Sequence, residues 1–266
     1  YNDIFNVSPS ELSVYIQDKM EFDAMVINFG LRFDRFDPNT LYPTEYRNPL
    51  NMINEVDTST YKQARVQTQI SPRLGIAYQV ADEAVMHFSY GHFFQMPPFY
   101  AMYNRSDWLV PTGNYETVMG NPNLSAERTV KYEIGLWQRI NMNLSADINL
   151  YYKDIYDLLS TKTITTFNDV KYGLYTNKDY GNVRGLELKL DYINQKLSVF
   201  TNYTLQFTRG IADHPTQTFS REGNSQDPVN TLIPMNWDQR HTFNISVGYN
   251  TNSYGCTVTS YYNSGT

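Results

Sequence analysis

The side chains that could carry chemistry are few and scattered. The four histidines, His87, His92, His214 and His241, are read as sitting on separate strands or loops. No nucleophile elbow, P-loop, dinucleotide fingerprint or HExxH surrounds any of them. A triad assembled at a rim would make an outer-membrane hydrolase, and His92 with loop carboxylates would make an iron site. Neither is the favoured reading, so the sequence is read as that of no enzyme, with no catalytic residue, no metal and no cofactor. The single Cys256 rules out an internal disulfide framework and a zinc site built on cysteines. A richer grouping is Tyr100, Tyr103, Arg105, Trp108 and Tyr115, with Asp107 among them. Aromatic faces beside a few polar groups suit stacking on a bulky ligand such as a siderophore or a sugar. These five are the candidate substrate contacts, although tyrosine-rich loops also occur at membrane rims whatever they bind.

The elements that must hold this segment are strands. Met142, Leu144, Ala146, Ile148, Leu150 and Tyr152 alternate with Asn143, Ser145, Asp147, Asn149, Tyr151 and Lys153. The same period of two runs through Met25 to Asp34, Arg73 to Val80, Leu186 to Tyr192 and Arg240 to Tyr249. One face is oily and the other carries charge, glycine and amides, which is the pattern of a membrane barrel with a polar interior. Tight connections fall at residues 22–24, 80–84, 140–142, 194–196 and 250–253. Long polar ones fall at residues 37–71, 95–126, 157–181 and 210–237. Short and long alternate strictly, as in an up-and-down barrel, and unlike a Greek-key sandwich. This spacing predicts an all-β, antiparallel up-and-down transmembrane β-barrel, with roughly eleven strands in this chain.

Composition agrees. Aromatics make up 15% of the chain, led by 23 tyrosines, a side chain suited to the boundary between oil and water. Pairs such as Phe93-Phe94, Tyr151-Tyr152 and Tyr261-Tyr262 near the long loops are read as one girdle. Tyr78, Trp137, Tyr192 and Tyr249 near the turns are read as the other. A net charge of −6 argues against nucleic acid as a partner. The longest uncharged stretch, residues 85–104, contains His87, Gly91, His92 and Pro97-Pro98, so no spanning helix is expected. The first residues show no secretory signal. An open sheet would leave edges intolerable in lipid, so residues 1–266 are expected to be a single barrel segment cut at both ends.

Four segments carry a resemblance beyond architecture. They are Asn121-Pro122-Asn123-Leu124-Ser125-Ala126-Glu127 with Tyr132-Glu133-Ile134-Gly135; Gly181 to Glu187; Tyr90 to Phe99; and Asp238 to Asn244. By these segments, their order along the chain and the intervals between them, the sequence resembles the TonB-dependent outer-membrane receptors, over nearly its whole length. The resemblance implies part of a 22-stranded barrel closed by a plug. It also implies import of a scarce nutrient (an iron siderophore, cobalamin, a carbohydrate or similar) energised by the TonB complex. The plug domain, the TonB complex, a small-molecule substrate and outer-membrane lipid are the implied partners. Long loops would be extracellular and short turns periplasmic. Plug and final strands are expected to lie outside this sequence. A passive porin or surface-adhesin barrel is the alternative. Asn121, Pro122, Glu127, Glu133, Asn182, Gly185, Glu187 and Arg240 are the residues that match the motifs, and they are read as holding register and rim. Glu127 and Glu133 fall on the polar face with Lys131, and Gly185 leaves room for a close approach. Arg184 lies on the apolar face near the rim, where it can snorkel.

Overall fold

The computed structural model describes residues 6–51, 60–227, 229 and 231–265. The alternation becomes one antiparallel wall whose main path has ten strands. They are β1 (Ser10–Glu21), β2 (Met25–Asp37), β5 (Gln67–Ala81), β6 (Ala84–Gln95), β8 (Glu127–Arg139), β9 (Leu144–Thr165), β10 (Lys171–Ile193), β11 (Leu197–Gly210), β13 (His241–Asn250) and β14 (Gly255–Asn263). Each pairs with its neighbour in sequence, so the order is up-and-down throughout. The long connections carry β3 (Leu41–Pro43), β4 (Tyr61–Gln63), α1 (Phe99–Tyr103), β7 (Val118–Met119), α2 (Gln217–Gly223) and β12 (Ile233–Pro234). The sheet does not close: β1 and β14 each pair on one side among the described residues.

Register lines up the apolar positions across the wall. Phe88 stands opposite Ile134, Ile134 opposite Leu150, Leu150 opposite Leu186, and Leu186 opposite Leu205. Phe88, Ile134 and Leu150 stay exposed and Leu186 and Leu205 are half-buried; Leu150 is 51% accessible, and Ile16 on the same face 73%. A continuous exposed apolar band has hydrocarbon as its natural solvent. The opposite face carries Lys131 paired with Glu133, Lys189 with Asp191 at 3.0 Å, and His87 with Asn149 at 2.7 Å. No helix among the described residues is long and apolar enough to cross a membrane.

The five tight turns fall where the sequence places them, and two share one device. Asn141 Oδ1 accepts from the backbone N–H groups of Asn143 (2.9 Å) and Leu144 (3.1 Å). Asn194 Oδ1 does the same for Lys196 (2.9 Å) and Leu197 (2.8 Å). An asparagine that satisfies backbone two and three residues on fixes the reversal without tertiary help.

Two expectations change. Residues 157–181 do not form a loop; β9 and β10 run on as a hairpin, with the reversal at Thr166–Val170. Ile164, Lys162 and Thr161 on one arm stand opposite Tyr172, Leu174 and Tyr175 on the other, and β-branched and aromatic types favour strand wherever a neighbour covers them. At ~3.3 Å per residue β9 reaches about 70 Å, well beyond the bilayer. The aromatic pairs are also divided between faces. Phe93, Trp137 and Tyr151 lie on the polar face with Arg73, Arg139 and Lys153 over their rings. A period of two forbids adjacent rings from both meeting lipid.

Candidate functional site

Beyond the wall the long connections pack into a layer with two aromatic cores. In the first, α1 contributes Ala101, Met102 and Tyr103, which meet Phe36, Leu124, Leu159 and Tyr175. The Tyr103 hydroxyl donates to the Pro38 carbonyl at 3.1 Å. Burial, and then the charge of Asp37, pushes its pKa up to about 12. The second core joins Trp108, Tyr61, Met119, Tyr172 and Leu174. There Tyr172 donates to the Tyr46 carbonyl at 2.6 Å, and the Tyr46 and Trp108 rings lie 5.9 Å apart. Burial raises the pKa of Tyr46 as well.

The five candidate contacts therefore separate. Tyr103 and Trp108 are 1% and 3% accessible, so their faces are used inside the layer. Tyr100 is 51% accessible and turns its ring edge to Tyr175 at 5.9 Å. Tyr115 is half-buried against Phe219 and donates to Glu222 at 3.3 Å. Arg105 donates to the Leu109 carbonyl at 3.0 Å and lies 3.7 Å from Asp107. Arg105, Trp108 and Tyr115 adopt φ of 55°, 57° and 61°. For bulky L-residues this left-handed backbone costs on the order of 1 kcal/mol or more each, so the packed layer must enforce it.

Of the motif residues, Asn121 and Pro122 sit within this layer. Asn121 accepts from the Asn123 N–H at 3.0 Å, and its amide donates to the Tyr175 carbonyl at 2.9 Å. Its N–H reaches Ala101 at 2.8 Å, and Pro122 is buried beside it. One residue the sequence reading missed completes the tie. Asn177 accepts from the Ser125 N–H at 2.7 Å and donates back to the Ser125 carbonyl at 2.9 Å. A lone asparagine within a strand gives no signal of such a role. At Gly120 an added Cβ would lie 2.5 Å from the Asn104 nitrogen, so only glycine lets the two loop segments cross.

Glu127 opens β8 opposite Gln95 and lines a recess of about 280 Å³ with Asp213, His214 and Trp237. Glu133 and Glu187 lie lower on the polar face, flanking the row of Lys131, Tyr151 and Lys153. At Gly185 a Cβ would lie 2.5 Å from the Tyr151 hydroxyl and 2.6 Å from the Leu205 carbonyl. The close approach expected there is that of the Tyr151 ring, whose hydroxyl crosses the glycine to donate to Gln206 at 2.8 Å. Asn182 turns to the apolar face, where its amide donates to Asp154 at 3.2 Å. Arg240 pairs at 2.9 Å with Asp238, which also accepts from the Thr208 N–H at 2.7 Å. The histidines do not all lie on separate elements: His87 and His92 share β6, five residues apart and so on opposite faces. Among the described residues no three His, Cys, Asp or Glu side chains converge into a metal-binding group.

A wall with one apolar and one polar face, turned tightly at one rim and roofed by packed loops at the other, is a transmembrane β-barrel wall of the outer-membrane type. Over residues 2–266 the sequence matches the family described as TonB dependent receptor-like, beta-barrel, and the chain belongs to that family. No curated protein matches it in sequence. Solved structures share its fold at low identity. The FrpB iron transporter of Neisseria meningitidis (F3-3 variant) is 16% identical with a TM-score of 0.61, over 96% of this chain and 33% of that one. The siderophore receptor PirA of Pseudomonas aeruginosa is 17% identical with a TM-score of 0.57, over 96% and 41%. The alcaligin outer-membrane receptor FauA of Bordetella pertussis is 15% identical with a TM-score of 0.57, over 97% and 38%. The chain thus spans about a third of the length of the first of these and two fifths of the others.

Proposed function

We propose that this chain forms part of the wall and outer vestibule of an active transporter that brings a scarce nutrient across the outer membrane. Further strands close the barrel, a plug fills it and the TonB complex supplies energy; all three lie outside the residues described. The observation that carries the reading is the family match along the whole wall, joined to a polar inner face beneath a packed roof of loops. The long loops face the exterior and the tight turns the periplasm. Tyr100 and Tyr115, with Arg105 between them in sequence, are the contacts we assign to the substrate from the original five. Structural neighbours named for iron, a siderophore and alcaligin favour a metal or metal-chelate cargo.

The test is uptake of labelled ferric siderophores, copper and cobalamin by cells with and without the gene, each in a background with or without TonB. Saturable uptake that needs both genes supports the proposal. Uptake that persists without TonB would assign the chain to a passive porin instead.

A further inference from the structure

The recess at the head of β8 carries charge of one sign. It measures about 280 Å³ and lies at the loop rim, where Glu127 shares the polar face with Lys131. β8 and β9 supply Glu127, Leu158 and Leu159, and the connection after β11 supplies Asp213, His214 and Trp237. Leu159 also belongs to the first aromatic core with Tyr175, so the recess adjoins the Tyr100 end of the roof.

No lysine or arginine lines this space, and among the described residues none pairs with either carboxylate. Glu127 accepts from the Leu159 N–H. Asp213 Oδ1 is buried with no hydrogen bond, and its ionic contact is a long one, 3.4 Å to His214 Nε2. The imidazole is held from its other side, where Nδ1 lies 3.2 Å from Thr216 Oγ1. Two carboxylates thus share a concave space with apolar walls, where uncompensated charge is costly. The donor set does not suit a metal ion, because among the described residues no three His, Cys, Asp or Glu side chains converge. A neutral sugar would leave both charges in place. An organic ammonium offsets them, donates to the carboxylates and turns its alkyl groups to Leu158, Pro215 and Met235. The Trp237 indole, 43% accessible, adds the aromatic surface that such cations favour.

We propose that this recess binds the ammonium group of an organic cation, with Glu127 and Asp213 as its counter-charges and Trp237 as its aromatic wall. The group belongs either to a free compact amine or to an ammonium-bearing arm of a larger cargo. In the second case the site serves the transport proposed above and rests on that reading. Occupation itself does not depend on transport, so the two fail separately.

The experiment uses the full-length protein, purified in detergent, with choline and butylammonium as probes. The control probe is the uncharged alcohol in which carbon replaces the choline nitrogen. Calorimetric titration of the wild type is expected to favour choline over this isostere by about tenfold or more. Glu127→Gln and Asp213→Asn, at almost constant volume, should each weaken binding of the cations about tenfold. Trp237→Leu should weaken it about fivefold, while Asp82→Asn at the opposite rim leaves it unchanged. Failure of both cations to bind, or equal binding of choline and its isostere, overturns the site and needs no variant to fold. Binding that survives both carboxylate substitutions overturns it as well. In cells, TonB-dependent uptake of labelled choline identifies a free cation as the ligand. Choline that is not taken up but competes with a labelled ferric siderophore, and no longer competes in Glu127→Gln, identifies an arm of the cargo. Charge-selective binding with no TonB-dependent uptake of either compound supports the site and overturns transport. Uptake without charge-selective binding overturns the site alone.

Discussion

Tyr103 decides whether the aromatic loop is a binding surface or a packed roof. It is 1% accessible, sits among Met102, Leu124, Leu159 and Tyr175, and its hydroxyl donates to the Pro38 carbonyl. Tyr103→Phe keeps the ring and removes that bond, at a cost of about 1 kcal/mol. Tyr103→Ala also empties a core site, and a buried aromatic truncated in this way costs about 3–5 kcal/mol. The layer opens locally above the wall, so the loss belongs to the layer and not to the barrel. Native-state hydrogen exchange over residues 99–124 reads it directly. Exchange should quicken about fivefold in the phenylalanine variant and more than a hundredfold in the alanine variant. Tyr100→Ala, at a half-exposed position, should leave exchange nearly unchanged and raise the KM for uptake. If Tyr103→Ala left exchange unaltered yet weakened uptake, the ring would be a ligand contact and the packing argument would fail.

Three further outcomes follow from the same geometry. Leu150→Arg, on the apolar face between Ile134 and Leu186, should cost about 2–4 kcal/mol in denaturant titrations of the lipid-reconstituted protein. Asn202→Arg, on the polar face, should cost under about 0.5 kcal/mol. Gly185→Ala drives a methyl into the Tyr151 ring and the Leu205 carbonyl and should lower stability by about 1–3 kcal/mol. An unchanged melting temperature in this variant would show that the close approach is not constraining. The raised pKa of Tyr103 means that its contribution to the layer is intact below the unfolded value of 10.0 and is lost as pH rises towards about 12. A tyrosinate absorbance titration, wild type minus Tyr103→Phe, should show its step near 12; a step near 10 would contradict the burial.

The wall was legible in the sequence because lipid on one side and a polar interior on the other impose a strict period of two. Strands from Met25, Leu144, Leu186 and His241 follow it without help from elsewhere in the chain. The turns were legible because Asn141 and Asn194 act within three residues of themselves. The outer part of β9 and β10 was not, since Leu159, Ser160 and Thr161 are covered on both faces and alternation lapses. The aromatic loop could not be resolved either. Tyr100 and Tyr103 differ in burial by their place on one short helix, and tyrosine suits both settings. Asn177 owes its role to a partner in a distant segment, Ser125.

The two-faced wall itself is tested most directly by a label scan of residues 147–152, in the lipid-reconstituted protein with Cys256→Ser. Single cysteines carry a fluorophore that is challenged by brominated lipid and by an aqueous quencher. The account requires lipid quenching at 148, 150 and 152, and aqueous quenching at 147, 149 and 151, in strict alternation. Quenching without a period of two, or with the faces reversed, would contradict it.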